Sequence, residues 1–176
     1  MKLSLASLLL LAALAPACSK NNSPAPPTVP DALKTQASDV VVARAYAKGV
    51  QIYECKDAKW TLAGPDAELT DDKGARIGRH FAGPTWEWSD GSRVKGELVQ
   101  RADAPKADAV PWLLLRAKGT EGKGALERVT AIQRVDTDGG KAPASGCDAT
   151  SAPGAKVSVP YTATYYFYAP NAASQG

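Results

Sequence analysis

The sequence predicts an all-β fold, a single antiparallel β-sandwich or barrel. Residues 157–168 alternate strictly between two faces, as a strand with two different environments does. One face carries Val157, Val159, Tyr161, Ala163, Tyr165 and Phe167. The chain also has 15 glycines and 13 prolines, which suit short strands joined by turns better than a helical bundle. A pair of similar Gly-Pro segments in the middle of the chain adds two predicted hairpins.

The amino end has the pattern of a secretory signal peptide. Lys2 supplies a positive charge, residues 3–14 are apolar apart from two serines, and small residues at 15–17 precede Cys18. A charged start, an apolar core of this length and a small-residue cleavage site are the parts of an export signal. The apolar core is shorter than the ~20 residues of a membrane-spanning helix. We therefore expect residues 1–17 to be removed.

This cleavage can give either of two products. An ordinary signal peptidase can use Ala15 and Ala17 and release a soluble secreted protein that begins with Cys18. Residues 14–18 also resemble the bacterial lipobox, whose cysteine becomes the lipidated first residue, although Ala15 stands where leucine is preferred. Cysteine parity favours lipidation, because acylation of Cys18 leaves an even number of thiols in an oxidising compartment. We expect a lipoprotein of the bacterial outer membrane or periplasm, tethered by the Pro/Ser/Asn-rich residues 18–33.

The remaining chain has the size of one domain. The sequence predicts a β-domain over residues 34–170 and a disordered tail over residues 171–176. The whole chain has 21 basic and 18 acidic residues; loss of Lys2 leaves 20 and 18, a net charge of +2. This balance favours neither nucleic acid nor strong attraction to anionic lipid. We expect a monomer that contacts the membrane only through its lipid.

Cys55 and Cys147 are the cysteines that remain after Cys18. Outside the cytoplasm a disulfide is the default for such a pair. The chain has no Cys-x-x-Cys motif and no Cys/His cluster, so no zinc or thioredoxin-like site is indicated. We expect a disulfide, no metal and no cofactor.

Further strands are predicted along the chain. Residues 40–46 and 50–55 read as a hairpin, with Ala47-Lys48-Gly49 as its turn. Residues 113–117 and 125–135 read as two strands on either side of a glycine-rich turn. Residues 30–38 form the one short helical candidate.

Residues 64–78 and 83–96 resemble each other. Each begins with Gly-Pro, continues as a short strand, turns at Asp and Gly, and ends in a second strand and a glycine. The pattern predicts two successive β-hairpins in which Asp71 and Asp90 accept hydrogen bonds from the turn backbone. Because the second copy is one residue shorter, we expect its turn to be tighter.

Several unusual strings together resemble one known family. They lie at residues 50–55, 78–86, 90–92, 111–115, 129–143 and 159–168. The family is the secreted bacterial and fungal domain of unknown function three-four-five-five, and the resemblance covers roughly residues 30–169. It implies a family without an established activity. Some fungal members carry the label malate dehydrogenase, but the glycine cluster at 119–124 lacks the spacing and following helix of a dinucleotide-binding motif.

His80 is the only histidine and the weak candidate for a catalytic residue. A small hydrolase that uses His80 with Ser89 or Ser92 and with Asp71 or Asp90 is the alternative function, although no Gly-x-Ser-x-Gly elbow accompanies it. His80 can instead be structural, bonded to backbone where the two hairpins meet, or it can contact a ligand beside a tryptophan.

The tryptophans suggest the leading function, a non-enzymatic binding or structural module of the cell envelope. Trp86 and Trp88 lie two residues apart and share one face of a predicted strand. They form either part of the core or a stacking platform for a glycan or small apolar ligand. The candidate ligand-binding residues are His80, Trp86, Trp88, Asp90 and Trp112.

Overall fold

Eight antiparallel strands close into a barrel, and their order around the barrel follows the chain. The computed structural model describes residues 23–148, 151 and 154–171. The strands are β1 Asp39–Lys56, β2 Lys59–Thr70, β3 Arg76–Phe81, β4 Thr85–Trp88, β5 Arg93–Ala102, β6 Trp112–Glu121, β7 Ala131–Gly139 and β8 Lys156–Pro170. β1 pairs with β8 along almost its whole length and closes the sheet. The all-β prediction is confirmed, and of its two forms the barrel is the one observed.

One end of the barrel carries the disulfide, and we call it the disulfide end. The odd-numbered strands finish there and the even-numbered strands begin there. Cys55 near the end of β1 is bonded to Cys147 in the β7–β8 loop, with 5.5 Å between their Cα atoms. The same loop is held by the Tyr53 hydroxyl, which donates to the Gly140 carbonyl at 2.7 Å. The predicted disulfide is confirmed, and it ties the β7–β8 loop to the end of β1.

The barrel interior combines small side chains on β1 with large aromatic side chains on other strands. Ala43 and Ala45 are buried and lie opposite Phe167 and Tyr165 in the β1–β8 register. The space that these alanines leave is filled by rings, of which Trp86 is only 1% exposed. Small barrels alternate small and large inward side chains in this way. The middle of the barrel is therefore a packed core.

The two predicted hairpins are present as neighbours in the barrel. β2 and β3 are joined by residues 71–75, and β4 and β5 by the shorter turn 89–92, so the second turn is the tighter one. Asp71 Oδ1 accepts hydrogen bonds from the backbone N–H groups of Lys73 and Ala75. Asp90 Oδ1 accepts from the backbone N–H of Ser92 in the same way. The aspartates therefore have the turn role that the sequence predicted.

The predicted hairpin at residues 40–55 is wrong, because β1 runs through it as one strand. Gly49 does not form a turn; it leaves room for the backbone of β2. A Cβ added there would lie 2.1 Å from the Asp66 carbonyl oxygen of β2. Glycine here permits the close approach of a neighbouring strand.

The predicted strand over residues 125–135 is also wrong in its first half, since β7 begins at Ala131. Residues 125–130 form part of the β6–β7 connection. Leu126 and Val129 of that connection are buried and belong to the barrel core, at 0% and 3% exposure. The apolar residues that suggested a strand are thus buried within a loop.

The segment before β1 packs on the outside of the barrel. Asp31–Leu33 form one 3-10 turn, so the helix expected at residues 30–38 is reduced to these three residues. Leu33 is fully buried, and its carbonyl accepts a hydrogen bond from Gln133 Nε2 at 2.6 Å. Val29 packs on an outer cluster that includes Tyr166 and Tyr168. The folded part therefore begins before residue 34, where the sequence placed its boundary.

No helix in the described part of the chain is long and apolar enough to cross a membrane. Cys18, the predicted lipidation site, lies outside the described residues, as do the signal segment and most of the predicted tail.

Candidate functional site: a cavity at the disulfide end

A cavity of about 440 Å³ opens at the disulfide end of the barrel. Its inner wall is formed by side chains that point into the barrel from β1, β3, β4, β7 and β8. Those side chains are Gln51, Tyr53, His80, Trp86, Arg134 and Tyr165. The volume lies within the usual range for small-molecule sites.

Arg134 is the charged group of the inner wall. It follows Ile132 at the two-residue spacing of β7, and Ile132 is a fully buried core residue, so both side chains face inward. Arg134 is only 8% exposed. Its Nε and Nη2 atoms donate to the Pro111 carbonyl at 3.2 and 2.8 Å. Among the described residues no carboxylate forms an ion pair with this guanidinium.

Polar atoms beside Arg134 lack hydrogen-bond partners. Tyr165 lies directly opposite Arg134 in the β7–β8 register, and burial raises the pKa of its phenol. The Tyr165 hydroxyl, the Tyr161 hydroxyl beside it and the Gln51 side-chain nitrogen are buried without a hydrogen bond in the described structure. Looser polar contacts join Tyr165 to Arg134 and to Tyr161, and Tyr161 to Gln51, but these atoms make no hydrogen bond of good geometry. Single buried nitrogens without a partner also occur on Trp88, Trp112 and Arg93, so the distinguishing feature of this wall is that several such atoms lie together.

His80 forms part of the same wall. Its Nδ1 atom lies 2.8 Å from the Thr85 carbonyl oxygen. A carbonyl can only accept, so Nδ1 carries the proton and Nε2 is left as an acceptor. Burial, with a smaller effect from the positive charge of Arg134, lowers the pKa of His80 to about 3. His80 is therefore a neutral acceptor at physiological pH.

The rim of the cavity is apolar and carries a second arginine. Leu62 on β2 and Leu98 on β5 are 52% and 53% exposed, which is unusual for leucine side chains that line a cavity. Arg101 also lines the rim. Among the described residues that line the cavity there is no aspartate and no glutamate. The cavity thus has an apolar mouth that carries Arg101 and an inner wall that carries Arg134, with no acidic residue among the described lining residues.

The structure separates the sequence-predicted ligand residues. His80 and Trp86 line the cavity, whereas Trp88 packs against Phe167 in the core, with 5.8 Å between ring centroids. Trp112 packs on the outer cluster that includes Tyr166. Trp86 and Trp88 therefore do not form an exposed stacking platform.

Asp90 lies in the β4–β5 turn, at the end of the barrel opposite the cavity. Its two carboxylate oxygens accept hydrogen bonds from Ser92 and from the Ala125 backbone. It joins the β4–β5 turn to the β6–β7 connection, and a contact with a ligand in the cavity is not possible from there.

Among the described residues, the serines and aspartates named as possible partners of His80 do not lie beside it. Ser89 and Ser92 belong to the turn at the opposite end, where their hydroxyls donate to the Ile77 carbonyl and to Asp90. In the described part of the chain no side-chain hydroxyl or carboxylate hydrogen-bonds to His80. A histidine with a pKa of about 3 is also a weak general base near neutral pH.

The described residues contain no group of three or more His, Cys, Asp or Glu side chains placed to hold a metal ion. The candidate site is accordingly defined by Arg134, its partnerless neighbours and the apolar rim.

Sequence reasoning missed Arg134, Gln51 and Tyr165 as site residues. A signal for them existed in the alternation of β7 and β8, because Arg134 shares a face with buried Ile132 and Tyr165 shares a face with Phe167. A charged residue on the inward face of a small barrel is the exception that indicates a site.

Comparison with known proteins gives one match. The family model described as "Protein of unknown function (DUF3455)" matches residues 36–169. The matched range includes all of the inner-wall residues and begins after the docked segment at Val29 and Leu33. No curated protein and no solved structure matches the chain.

Proposed function

The chain belongs to the family Protein of unknown function (DUF3455), and we propose that it is an exported binding module that takes a small molecule into the cavity at the disulfide end. The observation that carries the proposal is the set of buried polar atoms on the inner wall without partners, beside Arg134. A ligand that enters the cavity supplies those partners. Apolar cavities with a few convergent polar groups are the usual form of a small-molecule site.

The closed barrel makes the site rigid. The β7–β8 loop beside the cavity is held by the disulfide and by the hydrogen bond from Tyr53 to Gly140. Rigid walls reduce the entropy that is lost when a ligand binds. A preformed cavity of this kind suits reversible capture of a ligand better than a reaction that needs a moving base.

Location is part of the same proposal. The disulfide is compatible with export, because such bonds persist in oxidising compartments. We propose that Cys18 is lipidated and that the module is held at the cell envelope, with a soluble secreted form as the alternative. Membrane fractionation of a Cys18→Ala variant tests this part: the variant should move to the soluble fraction, and an unchanged membrane fraction contradicts lipidation.

A ligand panel read by thermal shift tests the binding function. The panel contains neutral sugars, apolar compounds and organic acids, and binding to the folded state raises the melting temperature. Leu98→Trp narrows the mouth of the cavity and should weaken every hit. Val99→Trp is the matched control, since Val99 is the next residue of β5, is 50% exposed and does not line the cavity. No shift with any compound, or equal weakening by both variants, contradicts the proposal.

A further inference from the structure

We propose that the ligand is an organic anion, with an oxyanion head such as a carboxylate bound at Arg134 and an apolar body against the rim leucines. This inference rests on the proposed binding function and names the chemical class of the ligand. The charge of the ligand, the place in the cavity where its charged head binds and its approximate size each follow from the described residues.

The charge follows from Arg134. A guanidinium that is 8% exposed is costly to bury unless an opposite charge or enough hydrogen bonds surround it. The Pro111 carbonyl takes two of its five N–H groups. No carboxylate of the described chain is paired with it. The planar fork of arginine matches the two oxygens of a carboxylate, so the missing partner is best supplied by an anion.

The neighbours of Arg134 also offer hydrogen-bond donors to the cavity. The Gln51 side-chain nitrogen and the Tyr165 hydroxyl are donors that make no well-formed hydrogen bond within the wall, and both residues line the cavity. An oxyanion accepts hydrogen bonds and donates none, so it matches three donors at once. A cation finds no aspartate or glutamate among the described lining residues, and it meets Arg101 at the rim.

The apolar character and the size of the rest of the ligand are inferred from the residues at the rim and from the volume of the cavity. Leu62 and Leu98 line the outer part of the cavity and Leu113 lines its wall, and an alkyl chain or an aromatic ring that packs against them is removed from water. A cavity of about 440 Å³ equals roughly fifteen waters at their share of liquid volume. We therefore expect a compound of roughly ten to twenty non-hydrogen atoms, smaller than a polysaccharide chain.

A purely structural Arg134 is the competing explanation. In that case the guanidinium only fixes the β5–β6 loop through the Pro111 carbonyl. Such a role predicts no preference for charged over neutral ligands, and this difference makes the two explanations separable without any mutation.

The first test uses the unaltered protein. Isothermal titration compares octanoate and 3-phenylpropionate with octanamide and 3-phenylpropanamide, which have nearly the same shape but no charge. The acids should bind about thirtyfold or more tightly, the lower end of what a buried, hydrogen-bonded charge pair contributes. Equal binding of acids and amides overturns the anion inference and leaves the binding function standing. Binding by none of these compounds overturns the anion inference, and the wider panel then decides the binding function separately.

The second test removes the charge. Arg134→Met should abolish the preference for octanoate over octanamide, whereas Arg134→Lys should retain part of it because lysine keeps the charge without the fork. Arg128→Gln is the control, since Arg128 is an exposed arginine of the β6–β7 connection that does not line the cavity, and this variant should change octanoate binding less than about threefold. If Arg134→Met does not fold, Arg134→Lys and the comparison of acid with amide still test whether an anion binds at Arg134. An unchanged preference in a folded Arg134→Met variant overturns the inference.

Discussion

The imidazole of His80 lies flat on the indole of Trp86, with 4.4 Å between the ring centroids and 10° between the planes. Tyr165 approaches both rings with its own at a steep angle, 5.0 Å from His80 and 5.3 Å from Trp86. The hydrogen bond from Nδ1 to the backbone carbonyl of Thr85 holds the neutral imidazole in this stacked position. The group that seemed most reactive in the sequence is thus part of a rigid wall between the core and the cavity.

The first prediction concerns the protonation of His80. Burial lowers its pKa from 6.5 to about 3, so the folded state keeps it neutral where the unfolded chain takes up a proton. The stabilisation from His80 is present above pH 6.5 and is lost as the pH falls from about 6.5 toward 3. Over that window we expect His80 to contribute up to about 1.4 kcal/mol per pH unit to the fall in the free energy of unfolding.

Urea denaturation of wild type and His80→Gln between pH 7 and pH 4 measures this contribution. Glutamine can still donate to the Thr85 carbonyl but does not titrate, so the variant should show the shallower pH dependence. Because the chain has one histidine, NMR of its ring follows the same event directly. A ring that titrates near 6.5 in the folded protein contradicts the buried neutral state.

The second prediction concerns the disulfide. Cys55 and Cys147 are 92 residues apart, and a cross-link across a loop of that size stabilises by about 4–5 kcal/mol in the chain-entropy model. The double variant Cys55→Ser/Cys147→Ser should lose about that much in urea denaturation. Dithiothreitol should destabilise the wild type and leave the double variant unchanged. A loss below about 1 kcal/mol would mean that the unfolded chain is not restricted as the model assumes.

The third prediction concerns Asp90. Its carboxylate accepts hydrogen bonds from the Ser92 backbone and hydroxyl and from the Ala125 backbone, and thereby joins two connections at one end of the barrel. Asp90→Ala should lower the free energy of unfolding by about 1–3 kcal/mol, because those donors lose their acceptor. Asp103→Ala is the control, since no hydrogen bond or ion pair joins Asp103 to another residue in the described structure. Equal effects of the two variants, measured by thermal denaturation, would contradict a structural role for Asp90.

The fourth prediction concerns the segment docked outside the barrel. Leu33 is fully buried, so Leu33→Ala should cost about 2–5 kcal/mol. Leu62→Ala should change stability by less than about 0.5 kcal/mol, because Leu62 is 52% exposed. If the two variants are equally stable, the segment does not contribute to the fold as described.

Local spacing in the sequence predicted the fold class and the two middle hairpins, and the number of cysteines in an exported chain predicted the disulfide. The continuous β1 was missed, since a glycine at a turn and a glycine at a close approach of strands look alike until the neighbour is known. Gly49 is required by Asp66, seventeen residues away. Leu126 and Val129 suggested a strand where the chain forms a loop, because buried residues are apolar in both kinds of structure.

The site was less accessible to sequence reasoning than the fold. The conspicuous residues, the single histidine and the paired tryptophans, mostly serve the core. Of the residues that define the cavity, Gln51 on β1 lies far along the chain from Arg134 on β7 and Tyr165 on β8. Closure of the barrel between β1 and β8 brings them together, and that long-range pairing has no local signature.

The four tryptophans allow one direct measurement of where a ligand binds. Two-dimensional proton–nitrogen NMR resolves each indole N–H, and these lie in different places: Trp86 at the cavity, Trp88 in the core, Trp112 on the outer cluster and Trp60 beside the β7–β8 loop. On addition of octanoate, we expect a large shift of the Trp86 indole signal together with the Arg134 side-chain signal, and little change at Trp112. A shift confined to Trp112, or no shift at Trp86 under conditions where octanoate binds, would contradict binding in the cavity.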